Sequence, residues 1–142
     1  MSPRFRQEQV VTSPLERVVA FFHDVRNLKR VSPPVPRMDL TTEEFQVRPG
    51  AVFSVRLSVG PCSRTLKTVI LWVNKDGAFA DRLEGSPFAY WEHTHRFSPS
   101  GDGTRIVDDV DYSSPGWTAP LAALAVRIMF WFRRRAIARV LG

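Results

Sequence analysis

The chain has 142 residues, and 20 Lys and Arg against 14 Asp and Glu give a formal net charge of +6. This length corresponds to one domain of ordinary size, and a composition with 44% hydrophobic and 24% charged residues excludes an intrinsically disordered chain. A single cysteine, Cys62, excludes an internal disulfide framework and a cysteine metal cluster. The N-terminal residues MSPRFRQEQV lack the apolar run of a signal peptide. We therefore expect one cytoplasmic domain over residues 1–142.

The positive charge is concentrated near the C-terminus. Arg133, Arg134, Arg135 and Arg139 carry four of the charges, so the rest of the chain has a net charge of only +2. A nucleic-acid-binding surface more often spreads its cations over a whole face, and we expect no specific nucleic-acid partner. The cluster is most simply a solvated helix end, with contact to a membrane surface or to RNA as the alternative.

The first third of the sequence predicts a strand followed by two short helices. The strand covers Phe5 to Val11. At residues 13–16 the sequence SPLE combines an N-cap serine, a proline at the first helical position and a glutamate three residues after the cap. A second helix is predicted over Val25 to Val31, and Ser32-Pro33-Pro34 ends it.

From Thr41 onward the apolar period changes to two, which predicts an antiparallel meander of about six strands. The clearest strands cover residues 51–59, 64–73, 78–84, 88–98 and 104–113, separated by turns such as Gly85-Ser86-Pro87. The helical period returns from Ala119 to Leu141. Because a long meander twists and its apolar face must be covered, the sequence predicts an α+β fold in which a curved sheet and the long helix enclose a pocket.

The long helix is too short in its apolar part to span a bilayer. A span needs about 20 apolar residues, and Arg127 interrupts this stretch. An interfacial anchor formed by Trp131 and the arginines is the alternative. The simpler expectation is that one apolar stripe of the helix packs on the sheet and that the first half of this stripe lines the pocket. The stripe consists of Leu121, Leu124, Ile128 and Phe132.

Polar side chains lie on the apolar face of two neighbouring predicted strands. Strand alternation places four residues of the first on one face, namely Trp91, His93, His95 and Phe97. The next strand places four others inward, namely Ile106, Asp108, Val110 and Tyr112. A hairpin centred between Ser100 and Gly101 sets His93 opposite Asp108, and a shift of two residues sets His95 there instead. Asp81 is expected opposite Trp91 or His93, which gives a row Asp81–His93–Asp108 across three strands.

This row has three interpretations. It can be an internal hydrogen-bond network that fixes the register, or the polar part of an apolar ligand site. It can also perform chemistry, with His93 as a general base oriented by Asp108. A His-x-His pair with a carboxylate can bind a metal, but the pattern is weak, and we expect no metal and no cofactor.

The sequence resembles the ligand-binding SRPBCC families of the START-like superfamily, which include relatives of polyketide cyclases and dehydrases. The most specific part of the resemblance is the pattern G-P-F-x-x-W-x-H-x-H-x-F, matched by Pro87, Phe88, Trp91, His93, His95 and Phe97. Other matching residues are Asn27, Leu28, Pro33, Pro34, Phe79, Asp81, Asp108, Tyr112 and Pro115. Ser86 stands where glycine is expected, Leu83 where glutamine is usual and Leu66 where tryptophan is common. The last two make the expected pocket more apolar.

The resemblance implies a helix-grip fold, in which a curved antiparallel sheet of about seven strands wraps around the C-terminal helix and a hydrophobic cavity. It does not imply one reaction, since members bind lipids or hormones, act as aromatases or serve as co-chaperones. We therefore expect a small apolar or aromatic ligand, with a cyclase- or dehydratase-type enzyme using His93 and Asp108 as the alternative. The chain is expected to be a monomer or a homodimer. The expected ligand-binding residues are Phe53, Phe79, Asp81, Trp91, His93, His95, Asp108, Tyr112, Leu124 and Ile128.

Overall fold

A computed structural model describes residues 4–85 and 88–142, which form a seven-stranded antiparallel sheet and a long C-terminal helix. The strands are β1 (Arg4–Val11), β2 (Arg37–Leu40), β3 (Val52–Val59), β4 (Cys62–Val73), β5 (Phe79–Glu84), β6 (Tyr90–Ser100) and β7 (Gly103–Ser113). Their order across the sheet is β1-β7-β6-β5-β4-β3-β2. The predicted α+β class is confirmed. The predicted turn at Ser86-Pro87, and Pro87 in the sequence pattern, lie outside the described residues.

Two helices precede β2 and two follow β7. They are α1 (Leu15–Phe22), a 3₁₀ helix at Val25–Val31, a second 3₁₀ helix at Gly116–Thr118 and α2 (Ala119–Leu141). The helix α1 begins at Leu15, one residue after the predicted first helical position, Pro14 is its N-cap, and Ser13 does not cap it. Its hydroxyl instead donates to the carbonyl of Leu141 at 2.7 Å, because the last carbonyls of α2 have no partner within the helix. This bond ties the end of the chain to the start of α1.

The register between β6 and β7 differs from the first prediction by two residues. Ser100 pairs with Gly103, so Gly101 and Asp102 form the turn, and the positive φ of Gly101, 58°, suits that position. As a result, the residue opposite Asp108 is His95 and not His93. On the other side of β6, Asp81 pairs with His93, one of the two predicted positions.

The predicted inner stripe of α2 is wrong. Leu121, Leu124 and Ile128 are 69%, 55% and 51% exposed, and Phe132 is exposed as well. The buried residues of the helix are Val126, Phe130, Arg133, Ala136, Ile137 and Leu141. The segment from residue 119 to 132 is apolar on every side, so its spacing alone does not identify the packed face. Among the described residues, no helix is long and apolar enough to cross a membrane.

Candidate functional site

The predicted His and Asp residues meet on three neighbouring strands, β5, β6 and β7. The hydrogen bonds run diagonally across the strand pairs. His93 Nε2 lies 2.8 Å from Asp108 Oδ1, and His95 Nε2 lies 2.7 Å from Asp81 Oδ2. The two imidazole rings stack with centroids 3.8 Å apart. The predicted convergence of these side chains is therefore observed, although each histidine bonds the carboxylate diagonal to it.

Arg133 of α2 completes the cluster. It was expected in the solvated C-terminal group of arginines, but its side chain is only 7% exposed. Its Nη2 lies 3.4 Å from Asp108 Oδ1, and its guanidinium carbon lies 5.3 Å and 5.9 Å from the ring centres of Phe22 and Phe130. An arginine is so rarely buried without a charged partner that the carboxylate of Asp108 accounts for its position. We call Asp81, His93, His95, Asp108 and Arg133 the polar cluster.

The carboxylates of the polar cluster are ionised. Burial alone would raise the pKa of the Asp108 carboxyl, but the charge of Arg133, the hydrogen bond from His93 and the nearby ring of His95 outweigh it and hold that pKa well below its usual value. Burial also disfavours ionised Asp81, and its hydrogen bond with His95 leaves the pKa of this carboxyl lowered. The cluster therefore contains two negative charges beside the guanidinium.

The two histidines differ in their protonation. Burial acts against the charged form of His95, but the Asp108 carboxylate 3.5 Å from its Nδ1 and the hydrogen bond to Asp81 outweigh it and raise its pKa. Burial, together with the positive charge of His95, lowers the pKa of His93. His93 is thus a neutral imidazole. The raised pKa of His95 favours its cation, and protonated His95 together with Arg133 would balance the charge of the two carboxylates.

Two nitrogen atoms of the polar cluster are buried without a hydrogen-bond partner among the described residues. They are Nδ1 of His95 and Nε of Arg133. The Oδ1 atom of Asp108 lies 3.5 Å from His95 Nδ1. A buried donor without an acceptor costs about 1–3 kcal/mol, and more if it is charged. Both nitrogens therefore favour an additional acceptor.

A cavity of about 210 Å³ lies against the polar cluster. Four members of the cluster line it, all except Asp108, and the remainder of the wall is largely apolar. The main apolar and aromatic lining residues are Phe21, Phe22, Val25, Leu28, Val31, Met38, Val47, Phe53, Val55, Leu57, Leu66, Ile70, Phe79, Leu83, Trp91, Met129 and Phe130. The cavity thus combines a largely apolar wall with the charged and hydrogen-bonding groups of the polar cluster, and further polar groups come from Asp24, Asn27, Ser32 and Thr68.

Six of the ten expected ligand-binding residues line this cavity, namely Phe53, Phe79, Asp81, Trp91, His93 and His95. Asp108 lies behind His93 and contacts the cavity only through its partners. Tyr112 is buried in a separate cluster with Val126 and Phe130. The expectation for Leu124 and Ile128 is wrong, because both lie on the exposed side of α2.

The cluster also contains a set of donors that a metal ion could use. One ligand atom each of Asp81, His93 and His95 lies within 4.8 Å of the others. In both histidines, however, Nε2 is hydrogen-bonded to a carboxylate, and the guanidinium of Arg133 lies beside one of these carboxylates, that of Asp108. A divalent cation would have to displace these bonds next to a fixed positive charge, so the donor set is better suited to internal pairing.

Sequence reasoning missed Arg133 and the contribution of the first 3₁₀ helix to the cavity. The signal for Arg133 was its spacing, since Phe130, Arg133, Ile137 and Leu141 follow one another at intervals of three and four residues. An arginine in this spacing complements the charge of the two inward aspartates, Asp81 and Asp108, and so points to the packed face of α2.

The family model for polyketide cyclase/dehydrase and lipid transport proteins matches residues 2–141 of this sequence. The chain belongs to this family. The resemblance seen in the sequence is confirmed, and it extends over nearly the whole chain. Among curated proteins, none matches the sequence.

Solved structures share the fold of this family member. Protein Ms6760 from Mycobacterium smegmatis superposes with a TM-score of 0.74 at 17% identity, over 97% of this chain and 90% of that one. Protein CV1439 from Chromobacterium violaceum gives a TM-score of 0.76 at 15% identity, over 97% and 96% of the two chains. The major latex-like protein 151 from Panax ginseng gives 0.69 at 15% identity, over 99% and 97%. The helix-grip fold predicted from the sequence is thus confirmed.

Proposed function

We propose that the chain binds one small, largely apolar or aromatic molecule in the cavity, with a hydrogen-bond acceptor of that molecule directed at the polar cluster. The observation that carries the proposal is a largely apolar cavity whose wall includes four members of the polar cluster, Asp81, His93, His95 and Arg133. Ligand sites typically combine an apolar wall with a few convergent polar groups that orient the ligand. Membership of a family described by cyclases, dehydrases and lipid transport supports the same class of ligand.

The charge balance of the polar cluster favours a neutral acceptor. The ionised carboxylates of Asp81 and Asp108 equal or exceed the positive charge that Arg133 and His95 can supply, so a ligand carboxylate would add an uncompensated negative charge to a buried site. A carbonyl or hydroxyl oxygen accepts a hydrogen bond without this penalty. We therefore infer an aromatic or aliphatic molecule with a ketone, ester or hydroxyl group at one end.

A fluorescence titration with 6-propionyl-2-(dimethylamino)naphthalene tests the proposal, because this probe is neutral, aromatic and carries one carbonyl group. We expect saturable binding of one probe per chain. Leu66→Trp places an indole in the cavity wall, where it fills space that the probe would occupy. We expect the affinity for the probe to fall at least about tenfold, the size of effect that lost apolar contacts in a pocket produce. Leu71→Trp adds the same indole at a partly exposed position of the same strand and should leave binding unchanged.

The carbonyl group of the probe provides a second comparison. We expect 2-(dimethylamino)naphthalene, which lacks the acceptor, to bind more weakly to the wild-type chain, and this difference to disappear in Arg133→Met. The proposal is wrong if the carbonyl-bearing probe does not bind saturably, or if Leu66→Trp and Leu71→Trp bind it equally well.

One observation favours a catalytic role as a second candidate. Asp108 is ionised and accepts the Nε2 proton of neutral His93, which leaves the lone pair on Nδ1 of a residue that lines the cavity. This is the arrangement of a general base oriented by a carboxylate. With 5-nitrobenzisoxazole as probe, His93 would take the ring C–H proton while the N–O bond breaks to give a nitrile and a phenolate. His93→Gln should abolish this turnover and keep probe affinity within a few-fold; equal turnover in both proteins contradicts the role.

A further inference from the structure

The outer side of α2 carries an exposed apolar patch. It begins in the 3₁₀ helix before α2 with Trp117, which is 85% exposed. The patch, called here the outer patch, consists of Trp117, Leu121, Leu124, Ile128, Trp131 and Phe132. Its α2 residues recur at intervals of three and four and therefore lie on one side of the helix, opposite the buried side that contains Phe130 and Ile137. A soluble surface rarely leaves so many large apolar side chains together.

Arginines surround the outer patch, and α2 contains no acidic residue. Arg127, Arg135 and Arg139 are exposed and form no ion pair with any residue that the structure describes. The guanidinium of Arg135 lies 4.9 Å from the ring centre of Trp131. Positive charge and exposed aromatic rings thus occupy the same side of one helix.

We propose that the outer patch docks the chain on the surface of a bilayer that contains anionic lipids. The apolar side chains would enter at the level of the headgroups, while Arg127, Arg135 and Arg139 contact lipid phosphates. Interfacial helices combine an aromatic and aliphatic side with flanking arginines in this way. The proposal is independent of what the cavity binds, and it assigns a role to the exposed residues that the proposed ligand site does not use.

The charge pattern disfavours a second copy of the chain as the occupant. In a symmetric pair the same patch faces itself, so the arginines of both copies would meet where α2 offers no carboxylate. Single-stranded RNA is disfavoured as well: its bases could stack on the aromatic members of the outer patch, but the aliphatic Leu121, Leu124 and Ile128 between them offer no stacking surface.

Co-sedimentation with vesicles tests the charge requirement. We expect the full chain to bind vesicles of phosphatidylcholine with one third phosphatidylglycerol, and to bind pure phosphatidylcholine much less. An arginine near an anionic surface strengthens binding about fivefold, so Arg127→Gln with Arg135→Gln should weaken it roughly 30-fold. Arg56→Gln with Arg64→Gln removes the same charge from exposed positions on β3 and β4 and should have little effect.

The apolar requirement is tested in the same assay. Leu124→Gln with Ile128→Gln should weaken binding at least about tenfold, since each removes apolar area from the bilayer contact. The control is Val52→Gln with Val59→Gln, two exposed apolar residues of β3. A measurement on the unmodified chain does not depend on variant folding: phospholipids brominated in their acyl chains should quench the fluorescence of the exposed Trp117 and Trp131.

Several results would overturn the proposal. They are equal binding to neutral and anionic vesicles, no binding to anionic vesicles at physiological salt, or no quenching by brominated lipid. A dimer in sedimentation equilibrium that Leu124→Gln with Ile128→Gln dissociates would assign the outer patch to a second copy. Tighter binding to single-stranded RNA than to anionic vesicles would assign the arginines to nucleic acid.

Discussion

Replacing Asp108 by asparagine removes the charge on which the polar cluster depends. The Oδ1 atom of Asp108 lies 2.8 Å from Nε2 of His93, 3.5 Å from Nδ1 of His95 and 3.4 Å from Nη2 of Arg133. Asn keeps the size of the side chain but leaves the Arg133 guanidinium buried without an anion beside it. Removing one partner of a buried ion pair lowers the free energy of unfolding by about 3–5 kcal/mol.

This loss converts into a measurable change in melting temperature. For 142 residues, an unfolding entropy of about 2.1 cal/mol/K per residue gives about 0.3 kcal/mol/K, so Asp108→Asn should lower Tm by roughly 10–17 °C. The control is Asp109→Asn, the neighbouring residue, whose partly exposed carboxylate pairs with Arg6 at 3.0 Å. A solvated pair of this kind contributes at most about 1 kcal/mol, or about 3 °C. Differential scanning calorimetry measures both variants.

A double variant separates the charge effect from a general packing defect. Arg133→Met in the Asp108→Asn protein removes the unpaired cation and should recover part of the lost Tm, because apolar replacements of buried ion pairs are often neutral or stabilising. Two results would refute the reasoning. One is a Tm of Asp108→Asn within 3 °C of that of Asp109→Asn, and the other is a further drop when Arg133→Met is added.

Three further predictions concern pH, the packed face of α2 and a close backbone contact. The two buried carboxylates outweigh burial and raise the pKa of His95, so the stability it contributes is complete below the unfolded pKa of about 6.5 and is lost as pH rises through the folded pKa. Urea titrations should show the free energy of unfolding falling above pH 6.5 by at most about 1.4 kcal/mol per pH unit, and His95→Gln should lack this slope. Phe130→Ala should cost about 3–5 kcal/mol in urea unfolding and Phe132→Ala less than about 1, since the first is buried and the second exposed; equal losses would contradict the assigned face. Gly103→Ala should lower Tm because a Cβ there would lie 2.1 Å from a backbone oxygen of β1, whereas Gly116→Ala meets nothing within 4 Å and should be neutral.

The strands of the site were predictable because alternation and turn residues both identify them. The period-two pattern places Trp91, His93, His95 and Phe97 on one side of β6, and all four are buried. The register was harder, since Ser100-Gly101 and Gly101-Asp102 both suit a two-residue turn. The second centre is the one observed, which moves the partner of Asp108 from His93 to His95. Contact between a histidine and Asp108 survives either choice, because diagonal neighbours are also within reach.

The packed face of α2 was not predictable from periodicity alone. Leu124 and Ile128 fit a helical stripe as well as Val126 and Phe130 do. When each residue is judged by its own polarity, Arg133 argues against burial of the face that contains Val126 and Phe130. The pairing of Arg133 with Asp108, 25 residues apart in the sequence, allows an arginine to be buried on that otherwise apolar face. A tertiary contact that the helix sequence alone does not show thus makes this face suitable for packing.

The ¹⁵N NMR signals of the histidine side chains test the location of the ligand most directly. The chain has three histidines: His93 and His95 line the cavity, whereas His23 bonds the carbonyl of Gly77 through Nε2 at 2.7 Å and serves as an internal control. Saturation with 6-propionyl-2-(dimethylamino)naphthalene should shift the Nδ1 signal of His95 strongly and that of His93 measurably, with His23 nearly unchanged. A saturating probe that leaves His93 and His95 unshifted would contradict a ligand seated between the sheet and α2 with its acceptor at the polar cluster.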